Sequence, residues 1–144
     1  MADGMLSRLR NIKLVVQYDG TGYCGFQVQP SVPTVQGELE RALGQVLQHP
    51  TRLIPASRTD AGVHALGQVI LVRTDNPLAP TGLARALNDR LPVAVSVVSA
   101  EEVEDGFHPR YSAVAKFYTY RVLNRVLRSP FIERYAWHVQ TPLD

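Results

Sequence analysis

Residues 12–18 read IKLVVQY, and the pair Asp19-Gly20 follows them directly. β-Branched and aromatic side chains favour an extended backbone, and Asp-Gly favours a turn, so this stretch predicts a β-strand that ends at a turn. A helix is predicted next, because apolar residues recur at helical spacing between residues 35 and 47. Thr34 is suited to cap this helix, and Pro50 prevents its continuation.

The segments after this helix continue the alternation of strands and helices. We predict a short extended segment at 52–56, strands at 68–73, 93–99 and 113–123, and a second helix at 81–91. The order is β-α-β-β-α-β plus one more strand, which indicates an α+β fold of the ferredoxin-like or RRM-like split β-α-β type. In this fold an antiparallel sheet carries two helices on one face. The other face can bind nucleic acid through exposed aromatic side chains.

The composition is that of an ordinary globular protein. The chain has 144 residues, of which 45% are hydrophobic and 19% are charged. This length allows one hydrophobic core, and since we find no repeat or linker, we expect a single domain over residues 1–144. The single cysteine, Cys24, cannot form an internal disulfide, which suits a reducing compartment.

Nothing in the sequence predicts an association with a membrane. The first ten residues contain Asp3, Arg8 and Arg10 and no apolar run, so we expect no signal peptide. No stretch approaches the length needed to span a bilayer. We therefore expect a soluble, cytoplasmic protein.

Positive charge is concentrated near the C-terminal end of the chain. The net charge is only +2, but the window 110–134 contains six arginine or lysine residues and one acid, Glu133. Five aromatic residues are interleaved with these cations, which is compatible with nucleic acid, where cations meet phosphates and rings stack on bases. A solvated strand with a basic face is the alternative, and charge alone favours it.

Two familiar kinds of cofactor site are not supported. Residues 20–25, GTGYCG, match the spacing of a dinucleotide-binding loop, but that loop must open a helix to hold the pyrophosphate. Here Pro30 and Pro33 separate the glycines from the next helix, so we predict a flexible loop beside a binding cleft instead. The histidines are scattered, and no metal-binding pair is present, so we expect neither a metal nor a cofactor.

The loop at 57–65, SRTDAGVHA, lies between two predicted strands. Asp60 before Ala-Gly is, by itself, typical of a turn. An ion pair of Arg58 with Asp60 at the surface would contribute little to stability. The length of the motif and the segments that accompany it favour a functional interpretation.

This loop and its companions resemble the tRNA pseudouridine synthases that modify the anticodon stem-loop, the tRNA pseudouridine synthase A family. The similar segments follow one another in the family's order and extend from about residue 11 to the end of the chain. They are 18–23 with 25–27, 34–40, 58–65, 87–88 with 91–92, 107–113 and 116–120. Phe26 stands where the family commonly has tryptophan.

The resemblance implies a role for each matching residue. Asp60 would be the catalytic carboxylate, attacking or assisting at the ribose, and Arg58 would orient it and bind RNA. Tyr118 would stack on the target base and assist the later removal of a proton. Further substrate-binding positions implied in this way are His64, Asn88, Arg110 and Lys116.

The resemblance also implies a reaction and partners. Uridine would be isomerised to pseudouridine at positions 38–40 of tRNA, without a cofactor, by an enzyme that acts as a homodimer. Family members carry a second, similar half that completes the active-site cleft, so we expect this chain to be the N-terminal half. A non-catalytic RNA-binding half-domain is the alternative, and a nucleotide-dependent oxidoreductase is a distant third.

Overall fold

The computed structural model describes residues 8–144. The first seven residues, which belong to the stretch where we expect no signal peptide, lie outside this range. The chain divides into two compact units, Met1–Ala113 and Val114–Asp144. Within the described range, no helix combines the length and the apolar character needed to cross a bilayer.

The described part of the first unit is a four-stranded sheet with two α-helices. In chain order its elements are β1 (Arg10–Tyr18), α1 (Val35–Leu47), β2 (Ile54–Pro55), β3 (Ala65–Thr74), α2 (Pro80–Asn88) and β4 (Val95–Val103). The strand order in the sheet is β2-β3-β1-β4, and every neighbouring pair is antiparallel. The predicted α+β fold, with its split β-α-β arrangement, is therefore confirmed.

The alternation of β1 explains where the core lies. Ile12, Leu14 and Val16 are completely buried, while Lys13 and Gln17 point to the other side of the sheet. The buried side chains pack against apolar residues of both helices, so the two helices lie on one face, as predicted. Burying each such side chain contributes about 1.5–3 kcal/mol.

The helix ends follow local chemistry. The Gly37 amide donates to the Thr34 hydroxyl over 3.1 Å, so Thr34 is the N-cap of α1, as predicted. The second helix ends at Asn88, earlier than the predicted residue 91. Beyond Asn88 the amides of Arg90 and Leu91 both donate to the carbonyl of Leu87, so the regular helix gives way to a closing turn.

The face of the sheet away from the helices carries polar, charged and aliphatic side chains on its three long strands. Strands β1, β3 and β4 place no aromatic side chain on this face, because their only aromatic residue, Tyr18, points into the core. Leu71 is buried there, and Lys13 pairs with Glu101 at 2.9 Å and lies over the ring of Phe107. These three strands therefore offer no aromatic side chain for base stacking on this face, and binding of nucleic acid there stays a prediction.

The second unit corrects the predicted strand at 113–123. Only the end of this segment is a strand, β5 (Val122–Asn124), which pairs in parallel with β6 (Trp137–Val139). Residues 114–121 form no ladder with any other described strand. Alternating side chains make a segment suitable for a sheet, but a strand also needs a neighbouring edge to satisfy its backbone amides and carbonyls.

Candidate active site

Residues 57–64 join β2 to β3 and carry Asp60 at their tip. The Val63 amide donates to the Asp60 carbonyl over 3.1 Å, and Gly62 has a φ of +80°. Glycine adopts this left-handed conformation without steric cost, which allows a tight turn. The Asp60 side chain is exposed. The turn therefore presents a carboxylate at the surface of the first unit.

Two buried polar side chains, those of Gln68 and Tyr18, hydrogen-bond to Ser57 and Thr59 in this loop. The Gln68 amide group donates to the Ser57 carbonyl over 2.6 Å, and the Ser57 amide donates back to the Gln68 side-chain oxygen over 3.4 Å. The hydroxyls of Tyr18 and Thr59 hydrogen-bond at 2.7 Å. Burial raises the pKa of the Tyr18 phenol, so this hydroxyl keeps its proton throughout the neutral range.

Sequence reasoning missed both of these residues. The sequence analysis placed Tyr18 at the end of a strand and in a family-like segment, and Gln68 at the start of a predicted strand, but gave neither residue a role in the site. The available signal was a polar atom at a position whose side chain faces the core. Such atoms need a hydrogen-bond partner, and here the partners belong to the loop that carries Asp60.

The glycine-containing segment after β1 packs closely against the same loop. A Cβ atom on Gly20 would lie 2.1 Å from the Val63 carbonyl oxygen, so only glycine fits there without a backbone shift. Gly25 has a φ of +91°, and the next amide, that of Phe26, donates to the Thr59 carbonyl over 3.0 Å. The glycines therefore allow two loops to approach each other.

His64 fastens the far end of the Asp60 loop. Its Nδ1 accepts from the Gly20 amide over 2.9 Å and lies 3.2 Å from a carboxylate oxygen of Asp19. Because Nδ1 accepts this backbone proton, the neutral ring carries its own proton on Nε2. The contact with Asp19 is ionic only when the ring is protonated. The structure thus brings His64 together with the Asp60 loop and the glycine segment.

Arg58 and Asn88 are placed differently from what their implied roles suggest. Arg58 is exposed, and within residues 8–144 it forms no ion pair with Asp60. The side-chain amide of Asn88 donates to the Val97 carbonyl over 3.0 Å and accepts from the Val97 amide over 2.7 Å. This side chain therefore covers the outer edge of β4. The substrate roles of both residues remain predictions.

The other substrate-binding candidates are exposed. Arg110 follows β4 in the first unit, beside the stacked rings of His108 and Tyr111, whose centroids are 4.4 Å apart. Lys116 and Tyr118 lie in the second unit before β5, where 63% of Tyr118 is accessible. Over residues 8–144, no three side chains of histidine, cysteine, aspartate or glutamate are grouped as metal ligands.

The comparisons with known proteins agree with one another. Residues 14–112 match a family described as tRNA pseudouridine synthase. Three relatives named tRNA pseudouridine synthase A share 46% identity (Thermoanaerobacter sp. strain X514), 44% (Solibacter usitatus) and 47% (Geobacter sp. strain M21) over 136 residues. Each alignment covers 94% of this chain but only 55–57% of the relative. The chain thus spans about half the length of the curated relatives it matches.

Proposed function

This chain belongs to the tRNA pseudouridine synthase family, and on that premise we propose that it isomerises uridine to pseudouridine in tRNA, with Asp60 as the catalytic carboxylate. The observation that supports this role is the exposed position of Asp60 on an anchored turn. A carboxylate that must reach a ribose has to be accessible, and a firmly held loop reduces the cost of orienting it.

The chemistry needs such a group. The N1–C1′ bond of uridine breaks, the uracil turns, C5 bonds to C1′, and the proton on C5 leaves while N1 gains one. Cleavage develops positive charge at the sugar, as in glycoside hydrolysis. The Asp60 carboxylate can attack C1′ as a nucleophile or assist by removing a sugar proton. The product is an isomer of the substrate, so the overall balance requires neither an oxidant nor a reductant.

We assign the remaining side chains to RNA binding. The target base must leave its stack to reach Asp60, and the exposed ring of Tyr118 would replace the lost stacking. Arg58, Arg110 and Lys116 would contact phosphates and so position the RNA without reading its sequence. His64 and Asn88 would contribute to substrate binding indirectly, His64 by supporting the Asp60 loop through the Gly20 amide and Asn88 by supporting the edge of β4 at Val97.

The biological setting belongs to the same proposal. We propose that the uridines lie in the anticodon stem-loop, that the enzyme works in the cytoplasm, and that it acts as a homodimer. Sedimentation of the protein with and without tRNA would test the last point, because a dimer doubles the mass of the free protein.

The central test is Asp60→Asn, which keeps the shape of the side chain and removes its charge. Release of tritium from anticodon stem-loop RNA labelled at C5 of uridine measures product formation. We expect at least a roughly hundredfold loss of product, with RNA binding retained. Asp75→Asn is the matched control, since Asp75 is also exposed and lies after β3, outside the proposed site.

Two results would contradict the proposal. Pseudouridine formation that persists in Asp60→Asn would remove this carboxylate from the reaction. A wild-type chain that binds the RNA in a salt-sensitive way and forms no product would favour the alternative, a non-catalytic RNA-binding half-domain. The chain's length, about half that of its relatives, is the observation that keeps this alternative open.

A further inference from the structure

Thr59, the residue before Asp60, is held by two hydrogen bonds and lies close to the backbone of Gly25. Its hydroxyl bonds to that of Tyr18 at 2.7 Å, and its carbonyl accepts from the Phe26 amide at 3.0 Å. A Cβ on Gly25 would come within 3.2 Å of the same carbonyl oxygen. The next residue, Asp60, is exposed. The position of the carboxylate therefore depends on how firmly Thr59 is held.

The Tyr18 hydroxyl is an unusual group to find at this depth. Only 4% of Tyr18 is exposed, and its ring packs against Phe26, with centroids 6.0 Å apart. A phenylalanine would fill the same apolar space without a polar atom that needs a partner. The hydroxyl is directed to Thr59 in the loop, and Gln68, also buried, bonds to Ser57 two residues earlier.

We propose that Tyr18 is a positioning residue, which acts through Thr59 to set the direction of the Asp60 carboxylate. This inference rests on the proposed function for its effect on catalysis. Tyr18 itself touches no reacting atom. It connects the rigid end of β1 to the loop, and Gln68 provides a second connection from β3. Rigid elements that hold a catalytic group in one orientation lower the cost of reaching the reactive geometry.

The first experiment measures amide hydrogen exchange in the 144-residue chain, without any substrate. In Tyr18→Phe we expect exchange at the Phe26 and Val63 amides to become about five- to tenfold faster, because the loop loses one hydrogen bond. Exchange in the middle of β1 should stay unchanged. Thr59→Val should reproduce the effect, and the double variant should be no faster than either single one.

The second experiment measures tritium release from labelled stem-loop RNA. In Tyr18→Phe we expect kcat to fall about tenfold with KM unchanged, because orientation affects the reacting state and not RNA binding. Thr59→Ser, a single variant that keeps the hydroxyl, should retain the wild-type kcat. Thr74→Val is the matched control, since Thr74 is also buried and its hydroxyl bonds to His49 at the opposite end of β3 from the Asp60 loop.

The exchange rates and kcat of Tyr18→Phe together decide whether Tyr18 is a positioning residue. Unchanged exchange at Phe26 and Val63 in Tyr18→Phe would overturn it, whatever the activity. Faster exchange with an unchanged kcat would also overturn it, because the contact would then be structural only. A wild-type chain that releases no tritium contradicts the proposed function, whereas the exchange rates still show whether Tyr18 holds the loop.

Discussion

The loop at 57–64 and the segment at 114–121 both carry residues implied in catalysis or RNA binding, but the structure treats them differently. The loop is fastened through Gln68, Tyr18 and the Phe26 amide to the sheet and to the glycine segment. The segment has no strand partner among the described residues, and its side chains are exposed. A motif can therefore identify a chemical group, while only contacts determine where that group is held.

Aromatic residues show the same contrast. Tyr18 and Phe26 are buried and pack against each other beside the Asp60 loop. Phe117 in the segment is 93% exposed. Burial accompanies a defined position because close packing excludes alternative side-chain conformations. The exposed aromatics are available for contacts such as base stacking, in agreement with the role that we propose for Tyr118.

The largest difference between the two regions should appear in stability. Leu14→Ala, in the core under the helices, should lower the free energy of unfolding by about 2–5 kcal/mol. Phe117→Ala should change the free energy of unfolding by less than about 0.5 kcal/mol, because the ring stays exposed to solvent in the folded protein. Urea unfolding of both variants measures this. A similar cost for the two substitutions would show that the segment is packed in solution, against our comparison.

A smaller effect is expected where the glycine segment meets the loop. Gly20→Ala should cost about 1–3 kcal/mol, because its Cβ atom would overlap the Val63 carbonyl oxygen and force a backbone shift. Gly22→Ala is the matched control two residues later, where a Cβ atom meets open space. Thermal unfolding of both variants gives their melting temperatures. If both variants melt at the same temperature, the close approach at Gly20 does not contribute to stability.

The smallest effect concerns pH. Burial raises the pKa of the Tyr18 phenol in the folded state above its unfolded value of about 10. The corresponding stability is fully present below about pH 10 and is lost as the pH rises through the folded-state pKa. Tyr18→Phe should therefore lose less stability than wild type between pH 8 and pH 11, as measured by urea midpoints. An equal loss in both proteins would contradict this assignment.

Much of the fold could be predicted from local patterns. The β-branched run at 12–18 and the helical spacing at 35–47 match β1 and α1 closely. A strand or helix that buries one face has apolar residues at a regular spacing, which can be seen in the sequence. The strand predicted at 113–123 was wrong for the complementary reason. Alternation describes the side chains, but it does not supply the neighbouring strand that the backbone needs.

The candidate site also contains residues that the sequence identifies and residues that only the structure reveals. The order of residues alone identifies Asp60 through the motif RTDAGVHA, and its exposure agrees with that interpretation. Sequence reasoning did not find the supports of the loop, Tyr18 and Gln68, because their hydrogen bonds join positions 41 and 11 residues apart. Such contacts depend on strand register, which a reading of separate segments does not contain.

The sequence by itself determined most strands and both helices of the first unit, and which carboxylate belongs to the family motif. Both are properties of neighbouring residues. Only the tertiary structure decided that Gly20 must lie beneath the Val63 carbonyl and that the hydroxyl of Tyr18 reaches Thr59. The physical reason is that steric exclusion and hydrogen bonding act over a few ångströms in space, and folding alone brings these distant parts of the chain within that range.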